Sequence, residues 1–320
     1  MKKVFLILAE DPSFGAAGNL LNALYDNGHE VSAMFTRKDE KEFWKRIEIP
    51  EDQVVYLENQ GYDTPVAGVS APDEIIVVGA SAWDMLFVSL NYDFSKKSAM
   101  PIKVILTDTY YVRNYQRLNE EFEKVGAKVY AMQDLMRYRV GFPTEIYYQP
   151  IEIDDNIGVV KNQKFTICHS PGVKSKTNQK GTIQISETIN KYIATNKNAT
   201  YSLITDATYQ ECLSEKAKSH LFVDQLPPDN DYGYMGGVGK SGLEAMLLGS
   251  VVLTKGEIGN YNEETYPEAP IQVFQSEQEL YKAIDFFEQN PEVRKFIAEV
   301  QQAWARNFIN YEFVANHVAK

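Results

Sequence analysis

The stretch 236–254, Gly-Gly-Val-Gly-Lys-Ser-Gly-Leu-Glu-Ala-Met-Leu-Leu-Gly-Ser-Val-Val-Leu-Thr, constrains the fold of this chain more than any other. Glycines lead into a short amphipathic helix that ends at Gly249, and a buried-type strand follows at once. Loop, helix and apolar strand in that order belong to an α/β sheet. The loop also carries chemistry. The first-turn N–H groups of a helix have no intrahelical partner, and the helix dipole favours negative charge there. A glycine-rich entry to such a helix is a ready anion site. Lys240 adds a positive charge at that point, and a phosphate or diphosphate is the expected anion.

Two other readings of these residues stay open. Gly239-Lys240-Ser241 matches the end of a Walker A phosphate loop, but the glycine required five residues earlier is Tyr234. Ser241-x-x-Glu244 also matches a capping box, in which serine and glutamate satisfy the first-turn amides and no ligand is needed.

The rest of the chain bounds the answer. Its 320 residues suit two domains with ample core, and 44% hydrophobic with 24% charged residues is the composition of a soluble globular protein. A net charge of −12 makes it a poor partner for a nucleic-acid backbone or an anionic membrane. Cys168 and Cys212 lack metal spacing and read as reduced thiols of a cytoplasmic protein. The apolar start at 4–9 is stopped by Glu10-Asp11, so it reads as a first buried strand and not a signal peptide. No apolar run is long enough to span a membrane.

Apolar runs of strand type at 4–8, 30–35, 75–79, 103–106 and 128–131 alternate with helical patterns such as 16–27 and 114–125. That alternation predicts βαβ units and a parallel sheet. A linker is expected at 148–163, where Pro150 and a run of acids interrupt the periodicity. The pattern then restarts, with strands at 165–169, 201–204, 221–223, 251–254 and 271–274 and a helix at 181–195. The tail from 277 reads as helical, broken at Asn290-Pro291.

Ser-Gly-Leu-Glu-Ala-Met-x-x-Gly-x-Val-Val, 241–252, resembles the nucleotide-sugar loop of the retaining GT-B glycosyltransferases. His169-Ser170-Pro171 followed by Lys180-Gly181-Thr182 is similar to the start of that family's C-terminal domain. Leu221-Phe222-Val223-Asp224-Gln225 resembles a strand of its bacterial members, and 11–18 (Asp-Pro-Ser-Phe-Gly-Ala-Ala-Gly) resembles the glycine loop after its first strand. The resemblance covers the C-terminal half well and the N-terminal half in outline.

It implies an α/β, GT-B-like fold: two Rossmann-like domains facing a cleft, with a helical tail crossing back. An acceptor domain would span 1–150, a nucleotide-sugar domain 151–305, and the tail, 306–320, would pack on the first domain. Hinge closure about the linker would exclude water. Lys180, Lys240 and the amides of Gly239, Ser241 and Gly242 would hold the donor diphosphate, with Lys174 or Lys176 as the second basic partner. Glu244 would accept hydrogen bonds from the ribose. His169, Asp224, Gln225 and Gly15 complete the implied donor site. The basic loop 174–180 reads equally as a solvated surface run.

The departures from the family also matter. Many retaining members carry a glutamate eight residues before the one at Glu244, and here that residue is Gly236. Asp108 stands where many members have a histidine. It reads either as the base that deprotonates an acceptor hydroxyl or as a helix N-cap. Asp229-Asn230-Asp231 matches a metal motif of another glycosyltransferase architecture, but turn chemistry explains it. No metal and no resident cofactor are expected. Trp83, Tyr110, Tyr111 and Tyr115 fit either a sugar-binding cleft or the core.

The expected function is transfer of a sugar from a nucleoside-diphosphate sugar to a glycan, lipid, protein or modified nucleic acid. A GT-B-like epimerase or phosphorylase and a P-loop nucleotide-binding protein are the alternatives.

Overall fold

Strands β1 (Val4–Ala9), β2 (Glu30–Phe35), β3 (Val54–Tyr56), β4 (Glu74–Val78), β5 (Ile102–Leu106), β6 (Lys128–Ala131) and β7 (Thr144–Ile146) form one sheet in the order β3-β2-β1-β4-β5-β6-β7. Every described pairing in it is parallel. The strands read as unbroken apolar runs because helices cover both faces of such a sheet. The structure is a computed structural model and describes residues 2–9, 16–35, 50, 53–56, 72–83, 100–107, 109–132, 144–154, 157–171, 180–226, 237–255 and 269–320. β3 and β7 have three residues each, too few for a sequence pattern to reveal.

The chain divides into two units, one containing Met1–Pro150 and Ile309–Lys320, the other Ile151–Glu263 and Pro267–Phe308. In the first unit, helices α1 (Ala16–Asp26) and α2 (Thr109–Val125) flank the sheet. α2 begins five residues before the sequence pattern indicates. Trp83 and Tyr111 lie in the core beside Phe122, and the indole donates to Glu121 at 2.9 Å. The two residues are therefore packing groups.

The second unit holds β8 (Phe165–His169), β9 (Ala199–Leu203), β10 (Leu221–Val223), β11 (Val251–Lys255) and β12 (Gln272–Phe274), in the order β12-β11-β10-β8-β9. All described pairings are again parallel. The chain leaves β8 for β9 on one side, then crosses back to β10 on the other. That places the topological switch point between β8 and β10, where open α/β sheets bind ligands beyond the strand carboxyl ends. Helices α3 (Thr182–Thr195), α4 (Tyr209–Lys218), α5 (Lys240–Leu247), α6 (Glu277–Gln289) and α7 (Pro291–Phe308) complete the unit. The buried Gln301 of α7 accepts from the Val252 amide at 2.8 Å and donates to the Val252 carbonyl, so it completes the ladder where β12 does not reach.

α7 runs through Phe308 with Trp304 and Ala305 buried, so the segment that joins the first unit starts at Ile309. Asn310 then caps α8 (Tyr311–Val318), accepting from the Phe313 amide at 2.8 Å. Tyr311, Val314, Ala315 and Val318 share one core with Ala16, Ala17, Leu20 and Leu24 of α1. Two lysines hold the end of α8. Lys103, within apolar β5, donates to the Val318 carbonyl at 2.6 Å and to Glu74 at 2.5 Å; Lys3 donates to Ala319 and to the same carboxylate. Cations at a helix C-terminus are favoured by the dipole. No helix among the described residues is long and apolar enough to cross a membrane.

Removing one partner of a buried ion pair leaves a stranded charge. Lys103→Met is therefore expected to destabilise the fold by about 3 kcal/mol in urea denaturation. A loss below about 1 kcal/mol would mean that Lys3 alone satisfies Glu74.

Candidate functional site

His169 is the last residue of β8 and is fully buried. Its Nδ1 lies 2.8 Å from the Val223 carbonyl, which can only accept, so Nδ1 carries the proton. Nε2 then accepts from the Thr182 hydroxyl at 3.0 Å. Burial drives the ring's pKa down to about 4. The imidazole is thus a neutral brace joining β8, β10 and the first turn of α3. Both of its nitrogens are engaged within the second unit.

Asp224 follows β10 and is also fully buried. Its Oδ2 accepts from the Gly239 amide at 2.6 Å, and its Oδ1 pairs with Lys180 Nζ at 3.3 Å. The two helix entries at the switch point, α3 after Lys180-Gly181 and α5 after Gly239, are therefore tied to one carboxylate. Gly181 has φ +70°, and a Cβ there would sit 1.6 Å from the Leu226 carbonyl oxygen. A Cβ on Gly242 would come within 2.5 Å of Val238 and 3.2 Å of Asp224. These glycines let the helix entries approach the strand end closely.

Gln225 and Thr254 hold the start of the glycine loop. Both donate to the Gly237 carbonyl, at 2.6 and 2.7 Å. Gln225 thus shapes the loop, and its amide nitrogen is spent there. Lys161, half-buried and with its pKa lowered to about 8 by that burial, donates to the Leu248 carbonyl at the other end of α5.

The capping-box reading of Ser241-x-x-Glu244 does not hold. Gly239 is the N-cap of α5, without a side-chain cap, so Ser241 is already the second helical residue. A capping box occurs instead at Thr208-x-x-Glu211, where both reciprocal hydrogen bonds form at the start of α4. Glu244 turns inward. Its Oε2 pairs with Lys216 Nζ of α4 at 2.5 Å, and the side chains of both are at least 96% buried. Oε1 lies 3.7 Å from Lys240 Nζ and has no hydrogen-bond partner among the described residues. Lys240 also sits 5.1 Å from the Tyr209 ring centroid.

Burial alone would push the Glu244 carboxyl up; the charges of Lys216 and Lys240, with a looser approach of the Tyr209 hydroxyl, more than offset it and hold it below the ordinary range. Burial also opposes the charge on Lys216, but Glu244 outweighs it and the pKa is raised. Lys240 is lowered, because burial and Lys216 exceed the help from Glu244. Three ammonium groups (Lys180, Lys216, Lys240) face two carboxylates (Asp224, Glu244), which leaves one positive charge in excess among these described residues.

The structure brings together His169, Lys180, Asp224, Gln225, Gly239, Lys240, Ser241, Gly242 and Glu244 at one strand end. Asp108, Gly15, Lys174, Lys176 and Asp229-Asn230-Asp231 lie outside the described residues. Sequence reasoning missed Lys216. Its signal was present: α4 buries Leu213, Lys216 and Ala217, so a lysine occupies the apolar stripe of an amphipathic helix.

No protein-family model matches the chain, and no curated protein matches it in sequence. Solved structures do match in fold. An alpha-glucosyltransferase in complex with UDP and a 13-mer DNA containing a HMU base has a TM-score of 0.60 at 14% identity, with 100% of both chains covered. Anabaena HepE in complex with UDP has a TM-score of 0.62 at 13% identity, covering 100% of this chain and 98% of the other. A putative UDP-N-acetylglucosamine 2-epimerase from Listeria monocytogenes has a TM-score of 0.52 at 13% identity, covering 99% and 94%. The likeness shows the fold. The chain has the GT-B architecture of two Rossmann-like units with a returning C-terminal helix.

Two predictions follow from this geometry. Gly181→Ala would clash with backbone and force a strained dihedral, and is expected to lower the melting temperature by several degrees or abolish soluble expression. An unchanged melting curve would show that the α3 entry can move away from Leu226. The second concerns acid. His169 and His220 are lowered from 6.5 to about 4, both by burial first, and His220 Nδ1 accepts from the Thr166 amide. Between those values the unfolded chain binds more protons than the folded one. Stability is thus fully present above about pH 6.5 and falls as pH drops toward 4. Melting temperatures measured across that window should decline, and His169→Gln should make the decline shallower.

Proposed function

We propose that this protein is a glycosyltransferase that binds a nucleoside-diphosphate sugar, with UDP as the nucleotide, in its second unit. One observation carries the reading. Two helix N-termini and the cations Lys180 and Lys240 meet at the switch point of a parallel sheet, with one positive charge in excess among the described residues. That arrangement suits a diphosphate. The UDP complexes of proteins with the same fold support the choice of nucleotide.

In this reading the Lys180 ammonium and the amides of Ser241 and Gly242 bind the diphosphate oxygens. Negative charge grows on that group as the sugar–phosphate bond breaks, so fixed positive groups stabilise the transition state more than the bound donor. Lys240 swings from Tyr209 to the phosphates, and Glu244 Oε1 accepts from a ribose hydroxyl. Asp224 and His169 set the positions of these groups. The acceptor falls to the first unit, with Asp108 as its candidate base, and closure about the linker excludes water. Reaction without a bound metal is part of the proposal, as is a cytoplasmic location, which the acidic charge and free thiols favour.

The likeness to a 2-epimerase favours one alternative, in which the same donor site serves an isomerisation. Turnover of a UDP-sugar without any added acceptor would select it.

Thermal denaturation with UDP, in the presence of EDTA, tests the reading. At 100 times its dissociation constant UDP should stabilise the protein by about 2.7 kcal/mol. Lys180→Met and Lys240→Met should each weaken binding roughly tenfold or more, the loss expected for a charge-assisted contact. No stabilisation by UDP, or stabilisation only with ATP or GTP and magnesium, would sink the proposal.

A further inference from the structure

Lys216 is buried in full and has no place in the donor site as the sequence defines it. Such a lysine is costly unless it is paired. Its partner is the Oε2 of Glu244, and the Glu244 Oε1 is left buried without a hydrogen-bond donor among the described residues. An acceptor in that state loses the desolvation free energy of its lone pairs. The pair is asymmetric: Oε2 meets Lys216 at 2.5 Å, while Oε1 lies 3.7 Å from Lys240 and accepts no hydrogen bond among the described residues, and Glu244 sits on the helix whose N-terminus is the candidate anion site.

We propose that Lys216 is a positioning residue for nucleotide recognition: by holding Oε2 of Glu244 it keeps the carboxylate ionised and aims Oε1 at a hydroxyl donor of the ligand, the diol of a ribose. This rests on the nucleotide-sugar reading of the site. The chemistry is direct. A carboxylate accepts but cannot donate when ionised, and a vicinal diol supplies two donors. A protonated Glu244 would lose one of its acceptors and much of the strength of the contact.

The groups that face this carboxylate all bear on its charge. Lys216 and Tyr209 come from α4 and Lys240 from its own helix, while Cys212 of α4 and Cys168 of β8 act on Lys216. Burial pushes the Cys168 thiol up, so it stays neutral. Burial raises Glu244, but Lys216 is the largest opposing influence and Lys240 the next, and the net shift is downward. Removing Lys216 takes away the largest of the influences that oppose burial, so Glu244 would bind a proton at a higher pH.

The experiment is calorimetric titration of the full chain with UDP and with 2′,3′-dideoxy-UDP, at pH 7.5 and 5.0. The ratio of the two affinities isolates the ribose hydroxyls, since the phosphates titrate alike in both probes. The natural chain should prefer UDP by roughly tenfold, the usual worth of one hydrogen bond to a charged group, and keep that preference at pH 5.0. Lys216→Met should bring the ratio to about one while leaving dideoxy-UDP binding within about twofold, and Lys216→Arg should restore part of the preference.

An ion pair that only held α4 to α5 would weaken both probes equally on substitution, and that result overturns the proposal. So does a preference that survives in Lys216→Met. Should that variant not fold, the natural chain still decides: a preference lost between pH 7.5 and 5.0 shows that Glu244 is not held ionised. Equal affinity for the two probes at pH 7.5 overturns this inference and leaves the donor site standing. Failure to bind UDP at all overturns the donor site and this inference with it.

Discussion

The Asp224 carboxylate holds the candidate site together. It is fully buried, and one oxygen accepts from the Gly239 amide while the other meets Lys180. Without partners such a charge would cost several kcal/mol, so the pair and the amide are conditions of the fold and not additions to it. The consequence is geometric. Both helix N-termini at the switch point are fixed to the end of β10, and Gly181 and Gly242 are required by how closely they approach it. His169 works in the same direction, joining β8, β10 and α3 through its two nitrogens.

The same logic appears in both units with different partners. Lys103 stands among the apolar residues of β5, and Lys216 on the apolar stripe of α4. Each is buried, and each pairs with one glutamate that has a second lysine nearby: Glu74 with Lys3, and Glu244 with Lys240. In the first unit the extra hydrogen-bonding capacity goes to the carbonyls that end α8, and the cluster anchors the returning helix. In the second unit the Glu244 Oε1 lies 3.7 Å from Lys240 and accepts no hydrogen bond among the described residues.

Several elements were legible in sequence because their physics is local. The apolar runs of β1, β4, β8 and β11 mark buried parallel strands, and Gly239 and Gly249 bracket α5. The three-residue β3 and β7 were not, since so short a strand is stabilised by its neighbours and has no period of its own. Ser241-x-x-Glu244 shows how a local pattern misleads. It satisfies the capping rule in sequence, but the helix starts at Gly239 and Glu244 is drawn inward by a lysine 28 positions away.

Local residue chemistry by itself determined the alternation of strand and helix, the two-unit α/β architecture and the glycine-rich entry to α5, because periodicity and glycine act over a few neighbouring residues. Only the tertiary structure decided which polar groups are buried and joined within the scaffold. His169 and Gln225 resemble ligand contacts in sequence and are spent on internal hydrogen bonds. Lys216 belongs to no sequence motif and is buried against Glu244. Those outcomes depend on burial and on partners distant in the chain, and desolvation, the largest influence on a charged group, is set by packing that no local window contains.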